Sequence, residues 1–149
     1  MSKKFGFTLV EIMIVVAIIA LLASVAIPHL LRTRLNADES SAIAALKTIA
    51  SSAISYRSVN TAYPLCLASM ALPNSTPPYI DSILGCATQP CAKAGYSFAM
   101  TGGVNTFTAT AVPQDYQVSG IRSFYLDESG VIYYTADNVV ASTDDLVLE

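Results

Sequence analysis

The chain has 149 residues, 53% of them hydrophobic, and a formal net charge of −3. That length suits one modest domain with an appendage and argues against several domains. Beyond Asn60 only Lys93 and Arg122 are basic, against Asp81, Asp115, Asp127, Glu128, Asp137, Asp144, Asp145 and Glu149, so this part lacks the basic face that a nucleic-acid backbone requires.

Lys3 and Lys4 precede an apolar run from Phe7 to Ile27 that carries one charge, Glu11. The run has about 20 residues, enough to span a bilayer as a helix. It accounts for much of the positive mean hydropathy of +0.51. A short basic head before an apolar run reads first as a secretory signal, and Ser24-Val25-Ala26 supplies small residues for ordinary cleavage after Ala26. Glu11 argues against that reading. A lone carboxylate in hydrocarbon costs a few kcal/mol and marks a functional position by default. Charge on the two flanks, Lys3 and Lys4 against Arg32 and Arg34, does not decide orientation.

The stretch Lys3-Lys4-Phe5-Gly6-Phe7-Thr8-Leu9-Val10-Glu11, with the apolar run and Pro28 behind it, resembles the prepilin cleavage site of type IV pilins and type II secretion pseudopilins. Over the rest of the chain the resemblance is one of size and layout. It implies that residues 1–6 are a leader, cut between Gly6 and Phe7 by a membrane prepilin peptidase that then methylates the new Phe7 amine. It implies that residues 7–27 stay on the mature protein, first as a membrane anchor and later as filament core. It also implies a role for Glu11: its carboxylate meets the Phe7 amine of a neighbouring copy. Each charge would otherwise be stranded in apolar surroundings, so the pair sets register more than it adds net stability. The implied partners are further copies of the chain, the peptidase, an inner-membrane platform protein and a cytoplasmic assembly ATPase. The implied location is the inner membrane before assembly, then a surface pilus or a periplasmic pseudopilus.

The helical pattern continues past Pro28 to about residue 60. Leu35, Ala42, Ile43, Leu46, Ile49, Ala50, Ala53 and Ile54 recur at three- and four-residue steps, with Arg34, Asp38, Glu39, Lys47 and Arg57 on other faces. Residues 28–60 are therefore amphipathic and need an apolar cover on one side. Pro28 removes an N–H and crowds the Ser24 carbonyl, which predicts a kink or a loosened turn there, partly compensated by the Ser24 hydroxyl. Asn36-Ala37-Asp38-Glu39 reads as a capping box that restarts a helix after a break. A helix over the whole of this region measures on the order of 75 Å.

Residues 61–149 read as a globular head. Residues 61–93 are rich in Pro, Ala, Ser and Cys and lack periodicity, which predicts a connecting region with short helical turns near Leu65–Leu72 and Tyr79–Leu84. Cys86 and Cys91 enclose a short loop around Gln89-Pro90 and are the expected disulfide if this part is exported, with Cys66 as the alternative partner for either. Over 94–135 apolar and polar residues alternate: Tyr96, Phe98 and Met100, then Phe107, Ala109 and Ala111, then Ser123–Leu126 and Val131–Tyr134 about an Asp127-Glu128-Ser129-Gly130 turn. Residues 136–149 form an acidic tail. The fold class is α+β, a long N-terminal helix laid on a small antiparallel sheet of about four strands, similar to the pilin head.

No catalytic set is legible. The single histidine, His29, lies beside Pro28, Leu30 and Leu31, and there is no phosphate loop or paired CxxC. Two thiols and no nearby histidine do not make a zinc site. Asp137, Asp144 and Asp145 lack the spread of a calcium loop, so no metal and no cofactor is expected. Asn74-Ser75-Thr76 matches a glycosylation sequon by pattern alone. The leading expectation is a non-enzymatic filament subunit of a type IV pilus used for adhesion, motility or DNA uptake. A type II secretion pseudopilin is the alternative, and a membrane-anchored extracytoplasmic binding protein the second alternative. The pilus is favoured because the calcium-loop pattern of a major pseudopilin is missing.

Overall fold

The computed structural model describes residues 7–137 and 139–148. The chain forms two compact units, one ending at Arg34 and one starting at Leu35. A single helix, α1 (Leu9–Val59), contributes to both. In the first unit α1 is built almost wholly of Leu, Ile, Val, Ala and Met, and none of its described residues is buried. A helix that is apolar all round must find its cover outside its own chain.

In the second unit α1 buries Ala42, Ala45, Leu46, Ile49 and Ala53, which the helical repeat places on one stripe. The alanines in that stripe let the backbone lie close to the sheet, whose inward Ala109 and Ala111 are equally small and fully buried. Leu46, Ile49, Leu67, Met70, Tyr96, Phe98, Phe107 and Phe124 fill the rest of the same core. The helix ends where Asn60 turns back, its main-chain N–H and its side-chain amide both donating to the Tyr56 carbonyl at 2.9 Å. A 3₁₀ turn follows at Leu67–Met70, within the span predicted to turn, whereas Tyr79–Leu84 makes turns without a helix.

The sheet has six strands: β1 (Cys91–Lys93), β2 (Tyr96–Gly102), β3 (Phe107–Pro113), β4 (Ser123–Asp127), β5 (Ile132–Thr135) and β6 (Leu146–Val147). They pair in sequence order, every pair antiparallel. The expected sheet of about four strands is thus correct for its centre and short by both edges. β1 spans three residues and β6 two, too few for a period-2 pattern to show. The central strands alternate as predicted, with Tyr96, Phe98 and Met100 opposite Pro113, Ala111 and Ala109. The predicted turn at Asp127–Gly130 joins β4 to β5, with Gly130 at φ 79° and the Asp127 carboxylate accepting from the Ser129 N–H and hydroxyl.

Cys86 and Cys91 form a disulfide, and Cys66 is a free thiol near the Ser69 hydroxyl at 3.4 Å. Inside the disulfide loop the Gln89 amide acts as a strand partner. Its Nε2 donates to the Met100 carbonyl at 2.9 Å and its Oε1 accepts from the Met100 N–H at 2.6 Å. The β1 edge therefore continues along β2 beyond the Cys91–Phe98 pair. The predicted capping box at Asn36–Glu39 is overturned: α1 has no break there, and Glu39 is buried.

Candidate functional site: the exposed helix and its carboxylate

The site begins where α1 begins. Thr8 precedes the first helical residue, and its Oγ1 accepts from the Glu11 N–H at 3.2 Å. Glu11 Oε2 reaches back to the Thr8 N–H at 3.5 Å. This reciprocal pair is a capping box, in which two N–H groups left without helical partners are satisfied at once. The Thr-x-x-Glu spacing carried that signal, and reading Glu11 only as a stranded charge overlooked it. A carboxylate in the first turn also sits at the favourable end of the helix dipole. Gly6 and the rest of the predicted leader, 1–6, lie outside the described residues.

Phe7, Leu9, Ile12, Met13 and Val16 line a shallow apolar groove beside this cap. Phe7 itself is 81% exposed. Exposed apolar side chains recur along the helix to Leu30 and Leu31. By length and composition this segment is able to cross a membrane. The helix carries on through Pro28. The Ser24 hydroxyl donates to the Leu21 carbonyl at 2.7 Å, so it is spent one turn earlier than the proline. Thr33 donates to the His29 carbonyl at 2.9 Å on the other side of Pro28. Both hydroxyls bury their polarity in the helix's own backbone, which suits a segment surrounded by apolar matter.

A second polar arrangement holds the head together. Glu39 Oε1 accepts from the main-chain N–H groups of Ile121 and Arg122 at 3.1 and 3.2 Å. Its Oε2 accepts from Arg122 Nε at 2.8 Å and pairs with Nη2 at 2.6 Å. The guanidinium lies 5.4 Å from the centre of the Tyr134 ring. Tyr96 donates from its hydroxyl to the Arg122 carbonyl at 2.8 Å, and burial raises the pKa of that phenol. Glu39 thus fastens the β3–β4 loop to α1. Its partners are 82 and 83 residues away in sequence, which no local pattern reveals.

Of the residues singled out in the sequence, Phe7 lies just before the helix start, Glu11 caps its first turn through Thr8, and Pro28 stands further along α1. Cys86 and Cys91 are joined in the head. His29 is exposed. Among the described residues no group of three or more His, Cys, Asp or Glu side chains is placed to hold a metal ion.

Residues 1–27 match the family model of the prokaryotic N-terminal methylation motif. The type IV wide pilus major component PilA4 of Thermus thermophilus is 37% identical over 115 residues, 74% of this chain and 84% of that protein. The type II secretion system core protein G of Vibrio cholerae is 38% identical over 64 residues, 43% of this chain and 44% of that protein. Core protein G of Escherichia coli is 30% identical over 96 residues, 64% of this chain and 59% of that protein. The match therefore spans less than two thirds of these two secretion relatives and most of the pilus one. With the methylation motif at its start, a helix-on-sheet head and a pilus relative matched over most of its length, this chain belongs to the family of type IV pilins and type II secretion pseudopilins.

Proposed function

We propose that the chain is a structural subunit that polymerises through its N-terminal helix into a type IV pilus. The observation that carries this reading is the bare apolar length from Phe7 along α1 to Leu31 with one carboxylate, Glu11, near its start. Such a surface needs a bilayer or other copies of the same helix around it. Lipid tails and helix bundles are similarly apolar, so moving from one to the other costs little, and van der Waals packing and polar contacts decide the outcome.

In this reading a prepilin peptidase cuts between Gly6 and Phe7 and methylates the Phe7 amine. Glu11 then exchanges its local bond to the Thr8 N–H for a charge-assisted bond to the Phe7 amine of a neighbour, which fixes axial register. Pro28 is the point at which the helix is free to change shape between bilayer and filament. A platform protein and an assembly ATPase act on the subunit from the inner membrane. A surface pilus offers adhesion, motility or DNA uptake as its uses.

The second reading, a type II secretion pseudopilin in a periplasmic polymer, is favoured by the similarity to the core G proteins. Both readings share the register role of Glu11. Glu11→Val is expected to leave membrane insertion intact and to reduce the polymer by about tenfold or more, the order of loss from leaving one buried charge unpaired. Fractionation of envelope and sheared surface material by immunoblot checks this. Unchanged polymer in Glu11→Val removes the register role, and wild-type polymer confined to the envelope favours the pseudopilus.

A further inference from the structure

We infer that the C-terminal tail of one copy docks on the basic turn of α1 in a second copy, through Asp144 and Val140 of the first and Arg32 and Leu31 of the second. The inference rests on the filament reading and adds a specific contact to it.

Just past the apolar span, α1 carries Leu30 and Leu31, which are 68% and 58% exposed, beside an exposed Arg32. Val25, Pro28, His29 and Arg32 line a shallow groove on this turn. Among the described residues no acidic side chain of the same chain pairs with Arg32. Two bare leucines and an uncompensated guanidinium, set where the membrane-length segment ends, form an amphipathic patch that its own chain leaves open.

The tail presents the opposite charge on similar apolar ground. Val139 and Val140 are 58% and 57% exposed, and Leu146 and Val147, later in the same tail, are exposed as well. Asp137 and Asp144 are exposed among these residues. The described residues of this segment are tied to the head. Ala141 is buried, Tyr116 donates its hydroxyl to the Ala136 carbonyl at 2.9 Å, and Ser142 N–H donates to Asp145 at 2.6 Å. β6 then pairs with β5, and Leu148 N–H donates to the Ile132 carbonyl at 2.8 Å. The two cations of the head are engaged elsewhere, Lys93 with Asp81 and Arg122 with Glu39, and Arg57 of α1 meets Asn105 and the Tyr63 ring. Lys47, which borders a pocket at Val147 and Leu148, makes no ion pair with a described residue. Opposite charges flanking apolar side chains suit each other, and such complementarity sets orientation and register more than raw affinity. The two patches are different surfaces of one molecule, so the contact is heterologous and propagates as an open helical polymer instead of closing a dimer.

Two experiments on the full-length chain in its assembled polymer test this. In a Cys66→Ser background, Leu31→Cys combined with Val140→Cys is expected to give, on oxidation, a ladder of cross-linked chains that neither single cysteine gives. A polymer that contains the double variant and shows no ladder overturns the contact. In the second, Arg32→Glu is expected to lower polymer yield about tenfold, and Asp144→Arg in the same chain to restore it, as charge reversal across a true pair does. Asp115→Arg, which changes net charge equally on another part of the head, is expected not to restore it. Rescue by both, or by neither, overturns the inference; loss of membrane insertion in Arg32→Glu that Asp144→Arg leaves unrepaired assigns Arg32 to lipid headgroups instead. Absence of the wild-type chain from any polymer defeats the filament reading itself, which separates that failure from the failure of this contact.

Discussion

At Glu39 the helical repeat assigns a carboxylate to a polar face, and the fold turns it inward to Ile121 and Arg122. Glu39 is 4% exposed, and removing its carboxylate leaves two main-chain N–H groups without their acceptor, while the Arg122 side chain still reaches water. Glu39→Ala is expected to destabilise the head by about 2 kcal/mol, the order for leaving buried main-chain donors without an acceptor, the part-exposed Arg122 discounting the ion pair itself. Urea unfolding of the full chain in detergent, followed by tyrosine fluorescence, checks the value. Gly120 belongs to the same arrangement: an added Cβ would lie 2.0 Å from the Tyr96 hydroxyl, the group that holds the Arg122 carbonyl. Asp81 carries a different constraint. The bond from Lys93 at 2.6 Å, and then those from the N–H groups of Leu84 and Ile83, hold its pKa below the usual 3.8. A lowered folded-state pKa contributes stability that is present above the unfolded value and disappears as pH falls through the folded one. The difference in urea midpoint between the wild type and Asp81→Asn is expected to be full at neutral pH and to close as pH drops below 3.8. A gap that stays constant into acid contradicts that account.

At the scale of elements, the parts with a repeating pattern were legible and the parts held by single contacts were not. Helix α1 announces itself through its apolar run and its Ala42–Ala53 stripe. β2, β3 and β4–β5 show through alternation and the Gly130 turn. β1 depends on the disulfide and the Gln89 amide, and β6 on a return of the chain to Tyr133 and Tyr134. Those are long-range pairings, and a two- or three-residue strand has no period to read. The candidate site divided in the same way. Phe7, Glu11 and Pro28 are legible because the leader motif is local, whereas the Thr8 cap was written in the sequence and overlooked, and the Glu39 clamp needed the fold. The Cys86–Cys91 link closes a loop with a sequence separation of 5. A loop that short restricts the unfolded chain modestly, so its reduction is expected to cost about 2 kcal/mol. Denaturation with and without a phosphine reductant measures this, and Cys66 provides no second disulfide to confuse it.

At the scale of the molecule, two surfaces of opposite kind sit on one chain. The described residues of the first unit are mostly apolar and none is buried, and the second unit has a core under a six-stranded sheet. A free subunit in water would expose the first, so the chain belongs either in a bilayer or in an assembly of its own copies. In the proposed polymer the acidic excess of the head favours a soluble outer surface, and the basic residues on α1 offer neighbours a complement. The central claim is that this helix is processed at its start and retained as the polymer's core. Intact mass spectrometry of the subunit, taken from polymer sheared off the cell surface or isolated from the envelope, tests it most directly. The account predicts a chain beginning at Phe7, lacking Met1–Gly6 and carrying one added methyl group; a full-length chain, or one cut after Ala26 so that the apolar helix is gone, contradicts it.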